Sequence, residues 1–200
     1  LTARGVSWVC AGAIAAATAC DASSHGDTPA SCFVGDPSAS PQLSLVSPAA
    51  DGTLQPIADG TAVPLIVPSQ GGEILPIGVR ALNLDGCPLI QSTALIVPDT
   101  GAVASLERRP VTLELAGDGW LQPARPQQLG NFSNLPACPI AGLGQAVNGN
   151  QYRIDVQVQD PSGRQGEASA LVVPTCHDLQ AFCQCQCSAQ YVLGGGCPAS

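Results

Sequence analysis

The chain has 200 residues, with 15 acidic side chains against 7 basic ones and a formal net charge of -8, a balance that excludes a nucleic-acid binder with its need for a basic face. Only 4% of residues are aromatic and 11% charged, while 22 glycines and 18 prolines favour short strands and many turns over the long helices of an ordinary helical enzyme. The hydrophobic share of 45% can fill a core, so wholesale disorder is excluded too, and the length fits one or two compact domains.

Residues 1–19 read as a secretory signal. Arg4 is followed by the uncharged run VSWVCAGAIAAATA, with small Ala17 and Ala19 before the junction to Cys20 and Asp21. At about 14 residues, the run is shorter than the ~20 needed to span a bilayer as a helix. Ala17-Thr18-Ala19-Cys20 resembles the lipobox of bacterial lipoproteins, with Ala17 where Leu is usual. The resemblance implies that Cys20 is acylated and begins the mature chain. It also implies that the partner is a membrane and that the protein sits in the cell envelope, on the outer membrane or the cell surface. The other reading is ordinary cleavage after Ala19, with Cys20 a disulfide cysteine and the protein secreted. Each buried methylene of an acyl chain contributes about 0.8 kcal/mol, so two or three chains hold a domain durably. A polybasic patch is no substitute, because Arg80, Arg108, Arg109, Arg125, Arg153 and Arg164 are scattered.

Residues 20–41 are rich in Ser, Asp, Gly and Pro and read as a lipid-anchored flexible linker that buries too little to fold alone. Its roughly 20 residues would reach ~60 Å at full extension. His25 within it has no neighbouring ligand to make a metal site.

Residues 42–175 read as an all-β body, an antiparallel sandwich of about seven strands. Candidate strands are residues 42–47, 61–67, 74–84, 89–97, 110–115, 152–159 and 167–173. Pro64 and Pro76 lack the amide a central ladder needs, which predicts edges or bulges there. Strict alternation in residues 152–159 (YRIDVQVQ) predicts a buried face of Tyr152, Ile154, Val156 and Val158, and Asp160-Pro161-Ser162-Gly163 supplies the hairpin turn.

Ile77-Gly78-Val79-Arg80-Ala81, then Asp85-Gly86-Cys87-Pro88-Leu89, resembles the pattern of bacterial Ig-like domains, with Gly117-Asp118-Gly119-Trp120 as a later turn. The closing hairpin is similar to the last two strands of such sandwiches. Transthyretin-like and carboxypeptidase-regulatory-like modules share this grammar, including a segment like residues 130–136 (GNFSNLP). The resemblance implies an Ig-like sandwich and a surface binding or structural role with a protein or glycan ligand. Residues 121–150 form a longer interval than Ig-like loops usually do.

Residues 176–200 form a Cys-rich tail. Of ten cysteines, Cys10 leaves with the signal and Cys20 with the anchor; Cys32, Cys87, Cys138, Cys176, Cys183, Cys185, Cys187 and Cys197 remain, an even set for an oxidising compartment. Three belong to linker and body and five to the tail, so full pairing requires at least one bridge from tail to body. Bridges between adjacent cysteines of Cys183-Gln184-Cys185-Gln186-Cys187 are excluded as strained small rings. Eight cysteines allow 105 connectivities. A body bridge such as Cys87–Cys138 would close a ring of about 50 residues, worth on the order of 4 kcal/mol. Cys185-x-Cys187-x9-Cys197 resembles the second half of an EGF-like module, which implies Cys187–Cys197. The alternative is a soft-metal site on the Cys183, Cys185 and Cys187 thiolates with His177.

No nucleophile elbow, zincin helix, phosphate loop or dinucleotide fingerprint is present, so no catalytic residue, metal or cofactor is expected. A secreted hydrolase or inhibitor on the same sandwich would have to use His177 or carboxylate pairs such as Glu114 with Asp118, or Asp155 with Asp160. Trp120 is expected to pack rather than to stack on a sugar. Asn131-Phe132-Ser133 is formally a glycosylation sequon.

Overall fold

The structure, a computed structural model, describes residues 32–140, 142–177 and 180–197. The expected signal, Cys20, His25 and the first half of the linker lie outside the described residues.

The described residues are all-β apart from a single 3-10 turn at Leu129–Asn131 and a short helix near the end. In chain order the strands are β1 (Phe33–Val34), β2 (Gln42–Pro48), β3 (Leu54–Pro56), β4 (Thr61–Leu65), β5 (Glu73–Leu82), β6 (Leu84–Asp85) and β7 (Leu89–Ile96). They continue with β8 (Val103–Val111), β9 (Leu113–Leu115), β10 (Leu121–Pro123), β11 (Ser133–Cys138), β12 (Tyr152–Gln159) and β13 (Gln165–Cys176), and the helix is α1 (Gln180–Gln186). Thirteen strands against the seven expected reflects several that are only two or three residues long.

One sheet has the order β3-β2-β5-β10-β9, with β11 also pairing with β5; the facing sheet has the order β4-β13-β12-β7-β8. The second order matches the sheet of an immunoglobulin-type sandwich that carries its last two strands beside a middle hairpin. All its pairings are antiparallel except β4 with β13. β4 is an edge strand, so Pro64 costs no ladder bond on its open side. Pro76 in β5 sits where the β2 ladder has ended, at Val46–Gly78, and pairs only with Asn134 of β11.

The core lies between the two sheets. Tyr152, Ile154, Val156 and Val158 of β12 point inward and are buried, against Leu75, Ile77 and Val79 of β5. Each such side chain contributes about 1.5–3 kcal/mol by leaving water. On β7 the inward positions between Leu89 and Leu95 are polar: Gln91 donates from Nε2 to the Ile77 carbonyl (2.9 Å) and to Thr93 Oγ1 (3.0 Å). The first of these bonds crosses the core from one sheet to the other, giving a buried amide a partner that water cannot supply.

The lateral openings of the sandwich differ. On the β8 side, Glu107 Oε2 accepts from Ser133 Oγ (2.7 Å) and from the Asn134 amide, and Oε1 pairs with Arg109 (2.7 Å). Arg109 in turn donates to the Phe132 carbonyl (3.1 Å). This latch joins β8 to β11 through side chains. On the β4 side a single bridge, Ile66 with Ile74, joins the sheets, and a cleft remains.

The linker expected over residues 20–41 is fastened to the body from Cys32 onward. β1 pairs with β6, and Asn83, buried and at φ 62°, holds the following loop by accepting from the Asp36 amide (2.8 Å) and donating to the Ser40 carbonyl (2.8 Å). Arg164 donates to the Pro37 and Ala39 carbonyls and lies over the Phe33 ring at 5.8 Å. These ties are polar and to backbone, which is why a composition poor in apolar residues still orders here.

Candidate functional site: an apolar cleft and a disulfide-bonded tail

The cleft on the β4 side has a volume of about 600 Å³, within the range of small-ligand and peptide-side-chain sites. Its apolar lining comes from Pro48 at the end of β2, Ala62 and Pro64 on β4, Ile66 beyond it, and Pro126 and Leu129 after β10. Three of these are prolines, which offer rings and carbonyls but no N–H. The polar groups are Asp51 in the turn after β2, Gln127 after β10, and Thr175 and His177 at the end of β13.

Local sequence explains the turn. Asp51-Gly52-Thr53 closes with Asp51 Oδ1 accepting from the Thr53 amide (2.9 Å) and hydroxyl (2.6 Å), an Asx turn. The Thr53 hydroxyl, then its amide, holds the Asp51 carboxyl below the ordinary carboxylate range, so it is anionic at neutral pH. Gly52 has φ 81°, a conformation that strains any residue with a Cβ, and its carbonyl accepts from Gln127 Nε2 at 3.4 Å, which joins the two walls.

The carboxylate pairs named from the sequence have separate duties. Asp118 takes both its close contacts from Arg80 Nη2 (2.5 and 2.7 Å), and the Arg80 pair, followed by the Trp120 amide, lowers its pKa; Glu114 stands opposite Gln122 on the exposed β9. Asp155 is paired with Arg153 (2.9 Å). Asp160 is buried in the β12–β13 turn, accepting from the Ser162 hydroxyl (2.7 Å) and from the amides of Ser162, Arg164 and Asp85. Burial opposes its ionisation, but those donors outweigh it and hold the carboxyl below its ordinary value. Trp120 is half-buried with the Arg80 guanidinium 5.6 Å from its ring centre, so its face is covered by a neighbour. The Asn131 side-chain amide donates to the Ala124 carbonyl, and Phe132 and Ser133 are fully buried, which takes the sequon out of reach.

All eight described cysteines are paired: Cys32–Cys87, Cys138–Cys187, Cys176–Cys183 and Cys185–Cys197. Cys138–Cys187 joins the tail to β11, Cys176–Cys183 joins it to the end of β13, and the C-x-C-x-C sulfurs all bond elsewhere. Two expected pairings are corrected. Cys197 bonds Cys185 rather than Cys187, because on α1 residues four apart share a face whereas residues two apart oppose each other. Cys183 and Cys187 therefore both turn inward and are buried, while Cys185 is left on the other side to meet Cys197. Cys87 bonds Cys32 rather than Cys138, because the Asp85 carboxylate accepts from the amides of both Cys32 (3.3 Å) and Cys87 (3.2 Å) and β1–β6 pairing sets them side by side. Sulfurs locked in disulfides are not the thiolates that a soft metal needs, which removes the ligand set proposed for the tail.

The cleft itself is not visible in the sequence. Its one local signal is the Asp-Gly-Thr turn; the rest of its lining converges from segments far apart in the chain. Compared with known proteins, the chain matches no family model and no curated sequence.

Proposed function

We propose that this chain is an extracytoplasmic lipoprotein, anchored through acylated Cys20, whose β-sandwich acts as a non-enzymatic binding module. The observation that carries the reading is that the eight cysteines from Cys32 to Cys197 satisfy one another in four bridges, so Cys20 is not needed as a disulfide partner. Four disulfides suggest an extracytoplasmic location, and among the described residues no helix is long and apolar enough to cross a membrane. With residues from Cys32 onward fastened to the body, the tether is residues 21–31, which reach at most roughly 40 Å. That keeps the sandwich close to the bilayer.

The cleft is the binding place in this reading. Its proline and aliphatic walls suit apolar side chains, and the Asp51 carboxylate on a chain of net charge -8 suits a cation beside them. The partner is therefore an apolar protein segment carrying a basic residue. Labelling with palmitate and fractionating cells that express the Cys20→Ala variant tests the anchor: label should be lost and the protein should move to the soluble fraction. Unlabelled wild-type protein, or a variant that stays with the membrane, would overturn it.

A further inference from the structure

Two disulfides meet at α1. Cys176–Cys183 ties the helix to the end of β13, and Cys138–Cys187 ties it to the end of β11. Cys183 and Cys187 are four residues apart on the helix, joined by the Cys187 amide donating to the Cys183 carbonyl (2.8 Å), and their sulfurs lie 3.9 Å apart. The sulfurs of Cys176, Cys183 and Cys187 all lie within 4.8 Å of one another. Two bridges that belong to different strands are thus in contact through one helix face.

We propose that the tail is a redox-released element, freed from the sandwich when a single disulfide equivalent is reduced, by exchange between these two bridges. Cys138, Cys183 and Cys187 are buried, whereas Cys176 is half-buried, so the sulfur open to attack is that of Cys176. A thiolate of an external dithiol bonds to Cys176 Sγ and expels Cys183 as thiolate. The second thiol of the dithiol then displaces Cys176, which takes a proton, and the reductant leaves as a cyclic disulfide. The Cys183 thiolate now faces Cys187 Sγ. It bonds to that sulfur, the Cys138–Cys187 bond breaks, and the electron pair and a proton end on Cys138. The dithiol has given up two electrons and two protons, the protein holds two thiols, and one new bridge, Cys183–Cys187, has formed.

The new bridge is sterically available. Residues four apart on an α-helix have Cα atoms about 6.2 Å apart, inside the ~4.4–6.8 Å range of disulfides. Its consequence is topological. The starting bridges tie Cys183 of α1 and Cys187 just past its end to the strands; the product bridge joins those two residues to each other, and Cys185–Cys197 lies within the tail already. One reduction therefore removes both disulfide ties, leaving the main chain and contacts such as the Val147 amide to the Cys187 carbonyl (3.0 Å) to hold the helix.

The Cys176→Ser variant of the full chain, oxidised and then alkylated without reductant, isolates the exchange step. Peptide mapping should find the label mainly on Cys138 and a Cys183–Cys187 bridge; label confined to Cys183, with Cys138–Cys187 intact, overturns the proposal. If that variant does not fold, the wild-type chain decides. Dithiothreitol is raised until Cys176 takes up alkylating agent, and the molecules so labelled are mapped. Joint labelling of Cys176 and Cys138, with faster proteolysis after residue 177, is expected. Joint labelling of Cys176 and Cys183 overturns it.

Discussion

Gly78 of β5 lies against the ring of Phe132: a Cβ added at Gly78 would stand 2.8 Å from Phe132 Cδ1 and 2.9 Å from Pro123 Cγ. The glycine is there for this close approach, since its φ is not among the positive ones. Gly78→Ala should destabilise the fold by about 1–3 kcal/mol, the usual cost of overpacking. Urea unfolding measures it, and adding Phe132→Ala to the same chain should make the two losses less than additive.

The Glu107–Arg109 latch closes one side of the sandwich. Glu107→Ala takes the carboxylate acceptor from Arg109, the Ser133 hydroxyl and the Asn134 amide, and should cost about 1.5–3 kcal/mol, the range for hydrogen bonds to a charged group. Glu107→Gln should recover part of the loss, because its carbonyl can still accept from Ser133 and the Asn134 amide. Equal instability of the two variants in thermal unfolding would contradict this account.

Asp160 makes stability depend on pH. Its folded carboxyl titrates below the ordinary value of 3.8, so its contribution is complete above that value and is lost as pH falls through it toward the folded one. Denaturation midpoints of the wild type should therefore drop below about pH 4, and Asp160→Asn should flatten that drop. At neutral pH the same variant should lose about 1.5–3 kcal/mol.

Removing the Cys32–Cys87 bridge with a double serine substitution should cost about 4 kcal/mol in the chain-entropy picture for a loop of this span. Hydrogen exchange should rise over residues 33–41 before it rises in β12. Uniform exchange across both would show that the bridge does not act locally.

The parts of the fold legible in the sequence are those set by apolar alternation. β12 has the bounds its period-2 pattern predicts, and its partner strand follows the Asp160-Pro161-Ser162-Gly163 turn. β11 was hidden because its inward residues include Ser133, which meets Glu107 rather than the apolar core, and because Pro136 reads as a break. The charged run Glu107-Arg108-Arg109 likewise disguised the middle of β8, although two of the three charges are spent on the latch. Residues 33–41 are held by Asn83 and Arg164, whose reach to distant carbonyls leaves no periodic mark. The bridge pattern was readable only with α1 in hand, since the split of Cys185 from Cys183 and Cys187 follows from helical facing. The cleft leaves no mark in the sequence beyond its Asp51-Gly52-Thr53 turn, because Asp51, Pro126 and His177 come together only when the sheets stack.

β4 is seated beside β13, with Thr61 opposite Val172 and Leu65 opposite Cys176. A strand made early thus waits for one made late, and pairings so remote in sequence are slow to form because the intervening loop must close first. A chain made from its N-terminus cannot finish this sheet until almost all of it has emerged. Until then the side of β4 that β13 will cover is bare, which makes the time before completion, rather than final stability, the stage at which the protein is most exposed to aggregation.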